Sequence, residues 1–265
     1  MFTKNKIGVA TWIFGKRPLT EIAQRAADLN FAGVALFADL ASYSAAEAKQ
    51  ILGEHGLEIF ALTPPEVDLA HPDAQVRQAA IDAYLALFDF AAAVDCPLVL
   101  CQGLVGRTRP FSTRDEEIGL FRTAVSRLAQ RAQAQNIRFA LNVLNRYETH
   151  LFNTCSDALA LIDDIGADNL GVSLGAFHMN MEEQDAMAAI NKANGRFALY
   201  HVSDSNRQAI GRGHLKLGLQ LWALENIGYD GPIIVECLPP KSSPATLAHD
   251  DAQLETHLRE SRSWF

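Results

Sequence analysis

Cysteine is scarce in this sequence, with only four residues in a chain of 265. Cys96, Cys101, Cys155 and Cys237 are scattered, and no two of them have the C-x-x-C spacing of a metal or redox motif. A disulfide-stapled secreted protein would carry more cysteines in a shorter chain. The pattern therefore favours reduced thiols in a cytoplasmic protein over disulfide bonds.

Long apolar runs and an excess of basic residues are also missing. No run approaches the ~18 residues of a membrane-spanning helix, and the stretch MFTKNKIGVA lacks the apolar region and cleavage site of a signal peptide. The formal net charge is −8. Because nucleic acids and anionic membranes attract basic surfaces, the composition argues against both as partners.

The chain does contain short apolar runs, each followed by a segment with helical spacing. These predicted strands start near Ile7 (IGVATWIF), Gly33, Leu57, Pro97, Arg138, Leu170, Phe197 and Pro232. Residues 19–30, 44–56 and 73–94 have the spacing of amphipathic helices. Eight such units predict a single eight-stranded parallel (β/α)8 TIM barrel that spans residues 1–265 as one domain.

An open doubly wound sheet is the alternative fold. It would favour a glycine-rich turn directly after the first strand, and the stretch TWIFGKRP contains none. The sequence has no low-complexity segment and no linker that would separate two domains. Residues 239–251, PPKSSPATLAHDD, are predicted to form a Pro- and Ser-rich loop before the last helix.

Polar residues cluster where the predicted strands end, and the chemistry of α/β barrels occurs at these carboxyl ends. The residues there are Trp12, Gln102, Asn142 to Glu148, Gly175 to His178, His201 to Arg207, and Glu236. One polar group at a strand end can simply cap a helix or face water. Four of the eight ends, however, carry His, Glu, Asn or Arg, so the set predicts a shared small-molecule site.

Four of these residues have two interpretations each. Glu236 follows an apolar strand in PIIVEC, and a buried carboxylate must be paired, hydrogen-bonded or bound to metal, so it is a candidate base or ligand, or half of a structural ion pair. His201 is a candidate ligand or proton carrier, or a satisfied core histidine. His178 is a site residue or a contact at a helix N-terminus. Arg207 is an anion or hydroxyl clamp, or an ordinary loop arginine.

The segments LNRYETHLFNT, FHMNMEE, HVSDSNR with GRGH, and IIVEC together resemble the xylose isomerase-like TIM barrels, in particular the ketose 3-epimerase branch of the sugar isomerases. The resemblance is strongest from residue 139 to residue 236. It implies a divalent ion (Mn, Mg or Co) held by Glu, Asp, His and Glu, with the two glutamates moving the proton at C3 of a ketose. It also implies a homodimer or homotetramer.

The resemblance matches His201 and Glu236 to two of the four metal ligands, and Glu148, His178 and Arg207 to substrate-contacting positions. Asn142 in ALNVLNRYE replaces the first ligand glutamate, and Gly175 in GAFHMN replaces the ligand aspartate. An amide neither neutralises the charge of a dication nor accepts a catalytic proton, and glycine has no side chain. The metal site is therefore predicted to be degenerate, with no cofactor expected and with His201 and Glu236 as residual candidates for a weakly held ion.

Three functions follow. The first is a divergent, metal-independent sugar isomerase or epimerase-like enzyme that acts on a ketose or related polyol by isomerisation, enolisation or β-elimination with a single general base. Its catalytic residues would be Glu236, His178 and Glu148, and its substrate-binding residues Arg207, His201, Asn142, Asn145 and Trp12. The second is a non-catalytic sugar-binding protein. The third is a conventional metal-dependent ketose 3-epimerase in which Asp204 or Glu148 replaces the lost ligands.

Overall fold

Eight parallel strands pair edge to edge and close on themselves, because β1 pairs with both β2 and β8. The computed structural model describes residues 4–243 and 250–265. The strands are β1 Ile7–Ala10, β2 Gly33–Phe37, β3 Glu58–Thr63, β4 Leu98–Cys101, β5 Arg138–Asn142, β6 Leu170–Gly175, β7 Phe197–Val202 and β8 Ile233–Val235. This closed parallel sheet confirms the predicted barrel.

Helices follow the strands and cover the outside of the sheet. They are α1 Leu19–Asp28, α2 Ala45–Glu54, α3 Ala74–Ala93, α4 Arg114–Ala134, α5 Cys155–Ile165, α6 Ala176–Glu182, α7 Ala186–Lys192, α8 Leu217–Asn226 and α9 Asp251–Arg262. Capping boxes begin three of them, with Ser44, Thr113 and Thr154 each accepting a backbone hydrogen bond from the third helical residue. Across the described ranges, no helix is long and apolar enough to cross a membrane.

The predicted strand starts agree with the structure to within one residue. Two strands begin one residue after a predicted proline start, Pro97 and Pro232, since proline cannot donate to the hydrogen-bond ladder. One prediction is wrong: the run IGVATWIF does not continue as a strand beyond Ala10. Residues Thr11–Phe14 form a 3-10 helix instead, which closes with a hydrogen bond from the Gly15 amide to the Trp12 carbonyl.

The strands carry almost entirely buried side chains, as expected for a sheet that is covered on both faces. Phe60 packs against two glycines of neighbouring strands: a Cβ added at Gly8 would lie 2.8 Å from the Phe60 ring, and one at Gly33 would lie 2.7 Å from it. Only residues without a side chain leave room for this ring. The centre of the predicted Pro- and Ser-rich loop, 244–249, lies outside the described residues.

The four cysteines are all buried and form no disulfide bond. Burial raises the pKa of Cys96, Cys101 and Cys237 to about 12. Each thiol therefore stays protonated at neutral pH and behaves as a small apolar side chain. The cysteines thus belong to the packing of the barrel.

Candidate functional site

A cavity of about 990 Å³ opens at the carboxyl ends of the strands. Its wall includes predicted site residues from four parts of the barrel. They are Trp12 after β1, Asn142 at the end of β5, Glu148 in the following loop, His201 in β7, Arg207 in the loop after β7, and Glu236 after β8. The strand ends thus bring together residues that are up to 224 positions apart in the sequence.

Arg207 lies between two carboxylates in the wall of this cavity. Its Nη1 atom forms an ion pair with Oε1 of Glu148, and its Nη2 atom lies 3.3 Å from Oε1 of Glu236. The three side chains are only 10%, 13% and 15% exposed. Because buried charges must be compensated, the guanidinium is the group that allows both carboxylates to remain at this site. We refer to these three residues as the charged triad.

The loop after β7 holds the Arg207 backbone in an unusual conformation. Arg207 has a φ angle of +62°, in the left-handed region that residues other than glycine seldom adopt. Its amide donates to the Asp204 carbonyl at 2.8 Å, and its carbonyl accepts from the Leu238 amide at 2.8 Å. Both backbone groups are therefore fixed, and the guanidinium is directed to the triad.

Asp204 anchors the same loop through its carboxylate. The oxygens accept hydrogen bonds from the amides of Ser205, Gly211 and Leu215. Burial by itself would raise the pKa of Asp204, but these backbone donors hold it below its ordinary value. Asp204 was one of two candidate replacement metal ligands. Its carboxylate is instead used to fold the loop that carries Arg207.

Two aromatic rings lie close to the Arg207 guanidinium. Its central carbon is 4.9 Å from the ring centroid of Phe177 and 5.3 Å from that of Trp12. Such cation–π contacts favour the charged guanidinium and restrict its position. Trp12 is a predicted substrate-binding residue. Phe177 lies within the predicted strand-end range 175–178, but the sequence assigned it no role of its own.

His201 is buried beside the triad. Its Nε2 atom lies 3.8 Å from Oε2 of Glu236, and its Nδ1 atom lies 3.2 Å from the hydroxyl of Ser173. Burial lowers the pKa of His201, Glu236 opposes that shift, and Arg207 adds to it. The imidazole is therefore neutral at pH 7. Sequence reasoning missed Ser173, which lies inside a fully buried strand rather than at its end.

His178 and Asn145 lie behind the cavity wall rather than in it. His178 is 6% exposed, and its Nδ1 atom accepts hydrogen bonds from the Asn145 amide at 3.1 Å and from the Asn145 side chain at 2.8 Å. Two donors at Nδ1 place the ring proton of the neutral imidazole on Nε2. Burial, and secondarily the charge of Arg207, holds the pKa of His178 well below its ordinary value. Asn145 also donates to Glu148 at 3.3 Å, so this pair supports the triad from behind.

The loop that carries Glu148 is held by a second buried charge network. Arg107 forms ion pairs with both Asp68 and Glu117, and Glu117 also lies 2.8 Å from Nε2 of His150. The Gly106 amide then donates to the Glu148 carbonyl at 2.8 Å. These contacts connect the chain after β3, β4 and β5. The backbone of Glu148 is thereby tied to the loop after β4.

The remaining two positions are those where the family resemblance implies metal ligands. The Asn142 amide donates at 2.7 Å to the side chain of Gln102, another of the predicted strand-end residues and also part of the cavity wall. Gly175 has little space beside it, since an added Cβ would lie 3.0 Å from the His178 ring and 3.7 Å from Cβ of His201. In the described part of the chain, no three His, Cys, Asp or Glu side chains are grouped as metal ligands.

The donor set around His201 and Glu236 does not fit a tightly held hard dication. Such an ion needs several anionic oxygens, and charge count tunes its affinity. Here Glu236 is the one carboxylate beside His201, and it already faces a guanidinium. Glu148, the other candidate replacement ligand, is engaged by Arg207 and Asn145.

Comparison with known proteins agrees with this architecture. The model of the xylose isomerase-like TIM barrel family matches residues 23–264. A ketose 3-epimerase from Arthrobacter globiformis is 31% identical over 199 residues, which are 74% of this chain and 68% of that protein. An L-ribulose 3-epimerase from Mesorhizobium japonicum is 37% identical over 106 residues, which are 40% of this chain and 36% of that protein.

Solved structures resemble nearly the whole chain. An L-ribulose 3-epimerase superposes with a TM-score of 0.88 at 22% identity, over 98% of this chain and 93% of that chain. The apo form of a 3-keto-D-glucoside 4-epimerase from E. coli superposes with a TM-score of 0.86 at 20% identity, over 98% of both chains. At such low identity these two likenesses describe the fold alone.

Proposed function

The chain belongs to the xylose isomerase-like TIM barrel family, and we propose that it acts on a carbonyl-bearing sugar with Glu236 as its single general base and without a divalent metal. It is a sugar epimerase- or isomerase-like protein with ketose 3-epimerase homologues. The single observation that carries the proposal is the charged triad in the wall of the cavity. It combines a carboxylate base with a fixed cation at one small-molecule site.

The proposed step is the removal of a proton from the carbon next to a sugar carbonyl. Glu236 takes the proton, and negative charge develops on the carbonyl oxygen as the enediolate forms. Arg207 has five N–H donors, of which the two contacts of the triad use only part, so it can donate to that oxygen. A fixed cation in a water-poor site stabilises such charge strongly, and His201 lies close enough to add a second polar contact.

Glu148 and His178 are assigned supporting roles. Glu148 accepts from Arg207 and from Asn145, which leaves its second oxygen to orient a substrate hydroxyl. His178 holds Asn145 through its Nδ1 atom and so keeps Glu148 in place. Asn142 and Trp12 line the cavity and would contact the sugar by hydrogen bond and by ring stacking, respectively.

The family resemblance implies a reaction that uses a divalent metal. The proposal of a metal-independent reaction depends on donor chemistry: Asn142 and Gly175 supply no charge at two ligand positions, and Arg207 supplies a cation of the protein's own. Only one general base would then remain, and one base is enough for enolisation, isomerisation or β-elimination. A non-catalytic sugar-binding protein is the second candidate, favoured by the same two replacements.

Exchange of carbon-bound hydrogen in D₂O tests the proposal. Chelator-treated protein is incubated with ketohexoses, ketopentoses and 3-keto-glucosides, and deuterium next to the carbonyl is followed by NMR. The unmodified protein should incorporate deuterium, and Glu236→Gln should lower the rate about 10²- to 10⁴-fold. Glu225→Gln, on the exposed side of α8, is the matched control and should keep the rate.

The outcomes separate the three functions. Exchange that needs added Mn²⁺ would support the metal-dependent epimerase instead. Sugar binding without any exchange would support the non-catalytic protein.

A further inference from the structure

The cavity extends well beyond the charged triad. Its other half is lined by residues that follow β1, β2 and β3, including the last residue of β2 and one residue of α2. Residues that line this half include Phe37, Ser42, Tyr43, Ile51, Pro65 and Val67. We refer to these six residues as the distal wall.

The volume is larger than a free sugar requires. A cavity of about 990 Å³ is at the upper end of the ~300–1,000 Å³ range of ligand pockets, which enclose drug-sized molecules. A hexose has only about a dozen non-hydrogen atoms, well below that ligand size. With a sugar placed on Glu236, the distal wall would remain free to contact a second group.

The distal wall is apolar and partly rigid. The Tyr43 hydroxyl donates to the Phe37 carbonyl at 2.8 Å and accepts from the Asp39 amide at 3.2 Å. Burial raises the pKa of Tyr43 to about 12, so the ring stays an uncharged phenol. Together with Pro65 and Val67, these two aromatic side chains offer a surface on which another ring can pack.

The charges near the distal wall disfavour an anionic group. The carboxylates of Asp39, Glu47 and Glu66 line this part of the cavity, against the cations of Lys16 and Arg17. Arg17 is already engaged, since it forms ion pairs with Glu21 and Asp251. A phosphate or carboxylate placed here would meet more negative than free positive charge.

We propose that the distal wall binds the aglycone of a glycoside, so that the substrate is an oxidised sugar joined to an uncharged, ring-bearing group. The inference rests on the proposed function for the sugar half and adds the substrate class. The sugar carbonyl is placed at the charged triad, and the aglycone packs against Phe37, Tyr43 and Val67.

A matched pair of ligands tests this directly. The two ligands are methyl 3-keto-D-glucoside and 4-nitrophenyl 3-keto-D-glucoside, which differ only in the aglycone. The dissociation constant of each is measured by calorimetry for both anomers. The nitrophenyl compound should bind about tenfold or more tightly than the methyl compound, as expected for burying one ring. The 4-carboxyphenyl compound should lose most of that advantage.

Two variants and a control test whether the distal wall is the part of the cavity that binds the nitrophenyl group. Val67→Trp fills the distal wall and should abolish the advantage of the nitrophenyl compound while leaving methyl glucoside binding within about twofold. Val76→Trp, on the exposed side of α3 and outside the cavity, is the control and should change neither value. If Val67→Trp fails to fold, Ser42→Trp on the exposed loop blocks the same region.

Equal affinity for the two glucosides in the unmodified protein would overturn the aglycone inference and leave the proposed function standing. A nitrophenyl advantage that survives both Val67→Trp and Ser42→Trp would also overturn it. Binding of neither glucoside and of no free ketose would refute the proposed function and the inference together.

Discussion

Replacement of Arg207 by methionine should destabilise the protein strongly, because it leaves two carboxylates without their cation. Arg207, Glu148 and Glu236 are all at most 15% exposed. Removing one partner of a buried charge pair typically costs ~3–5 kcal/mol of unfolding free energy. Methionine keeps an unbranched side chain and meets the same left-handed backbone angle. It also loses the guanidinium carbon that faces Phe177 and Trp12, so the charge contribution must be separated from this lost contact.

A double-mutant cycle isolates the charge term. In a Glu148→Gln background, one of the two uncompensated charges is gone, so Arg207→Met should cost about half as much. The coupling energy should then be ~1.5–2.5 kcal/mol, within the range found for contacting residues. Unfolding free energies are obtained from urea titrations at pH 7 followed by far-UV circular dichroism.

The matched control is an ion pair of the same chemistry on the surface. Arg259 and Glu255 pair four residues apart on α9 with side chains 60% and 47% exposed. The same cycle there, Arg259→Met with Glu255→Gln, should give a coupling of only ~0.3–0.5 kcal/mol. An Arg207→Met cost below ~1 kcal/mol, or one unchanged by Glu148→Gln, would refute the view that Arg207 compensates buried carboxylates.

Two further predictions concern proton and metal binding. The pKa of His178 lies well below that of an unfolded histidine near 6.5, so below about pH 6.5 the unfolded chain binds the extra proton and the unfolding free energy falls as pH falls. His178→Asn should reduce that slope, measured in urea titrations, by about 0.7 kcal/mol per pH unit at pH 6.5 and by nearly 1.4 at pH 5, and an unchanged slope would contradict a neutral His178. The unmodified protein should show no activation by about millimolar Mn²⁺, whereas Asn142→Glu with Gly175→Asp should gain Mn²⁺ binding by calorimetry, since two carboxylates are restored. The neutral pair Asn142→Gln with Gly175→Asn is the control. Stoichiometric metal in the unmodified protein, or none in the restored variant, would contradict the reasoning.

The architecture follows from the sequence by local rules. Apolar runs of strand length alternate with segments of helical period, and glycine or proline separates them, so the number and order of the elements are visible without tertiary contacts. The strand ends then identify Glu236, His201 and Arg207, because a barrel places these ends on one face. Asn142 and Gly175 stand out only against the family resemblance, since neither residue type signals a site by itself.

These local rules fail where a contact between distant parts of the chain determines the conformation or the role of a residue. The run TWIF has the composition of a strand, yet it turns into a 3-10 helix, where Thr11 accepts a hydrogen bond from the Phe37 amide of the next strand. The sequence suggests that the Asp204 carboxylate is available as a ligand, but it accepts hydrogen bonds from three backbone amides of its own loop. His178 has the pattern of a wall residue, and only packing puts it behind Asn145.

The sequence by itself determined the barrel and its strand ends, because these depend on residue type and on spacing along the chain. The replacement of two metal-ligand carboxylates by Asn142 and Gly175 stays a prediction from the family resemblance. The tertiary structure decided which charges meet at the site. Glu148, Arg207 and Glu236 are separated by 59 and 29 residues, and only the closure of the barrel brings them within ion-pair distance. The size of the cavity and its distal wall were likewise not visible in the sequence, since residues of β2, α2 and the loops after β2 and β3 come together there only in the folded chain.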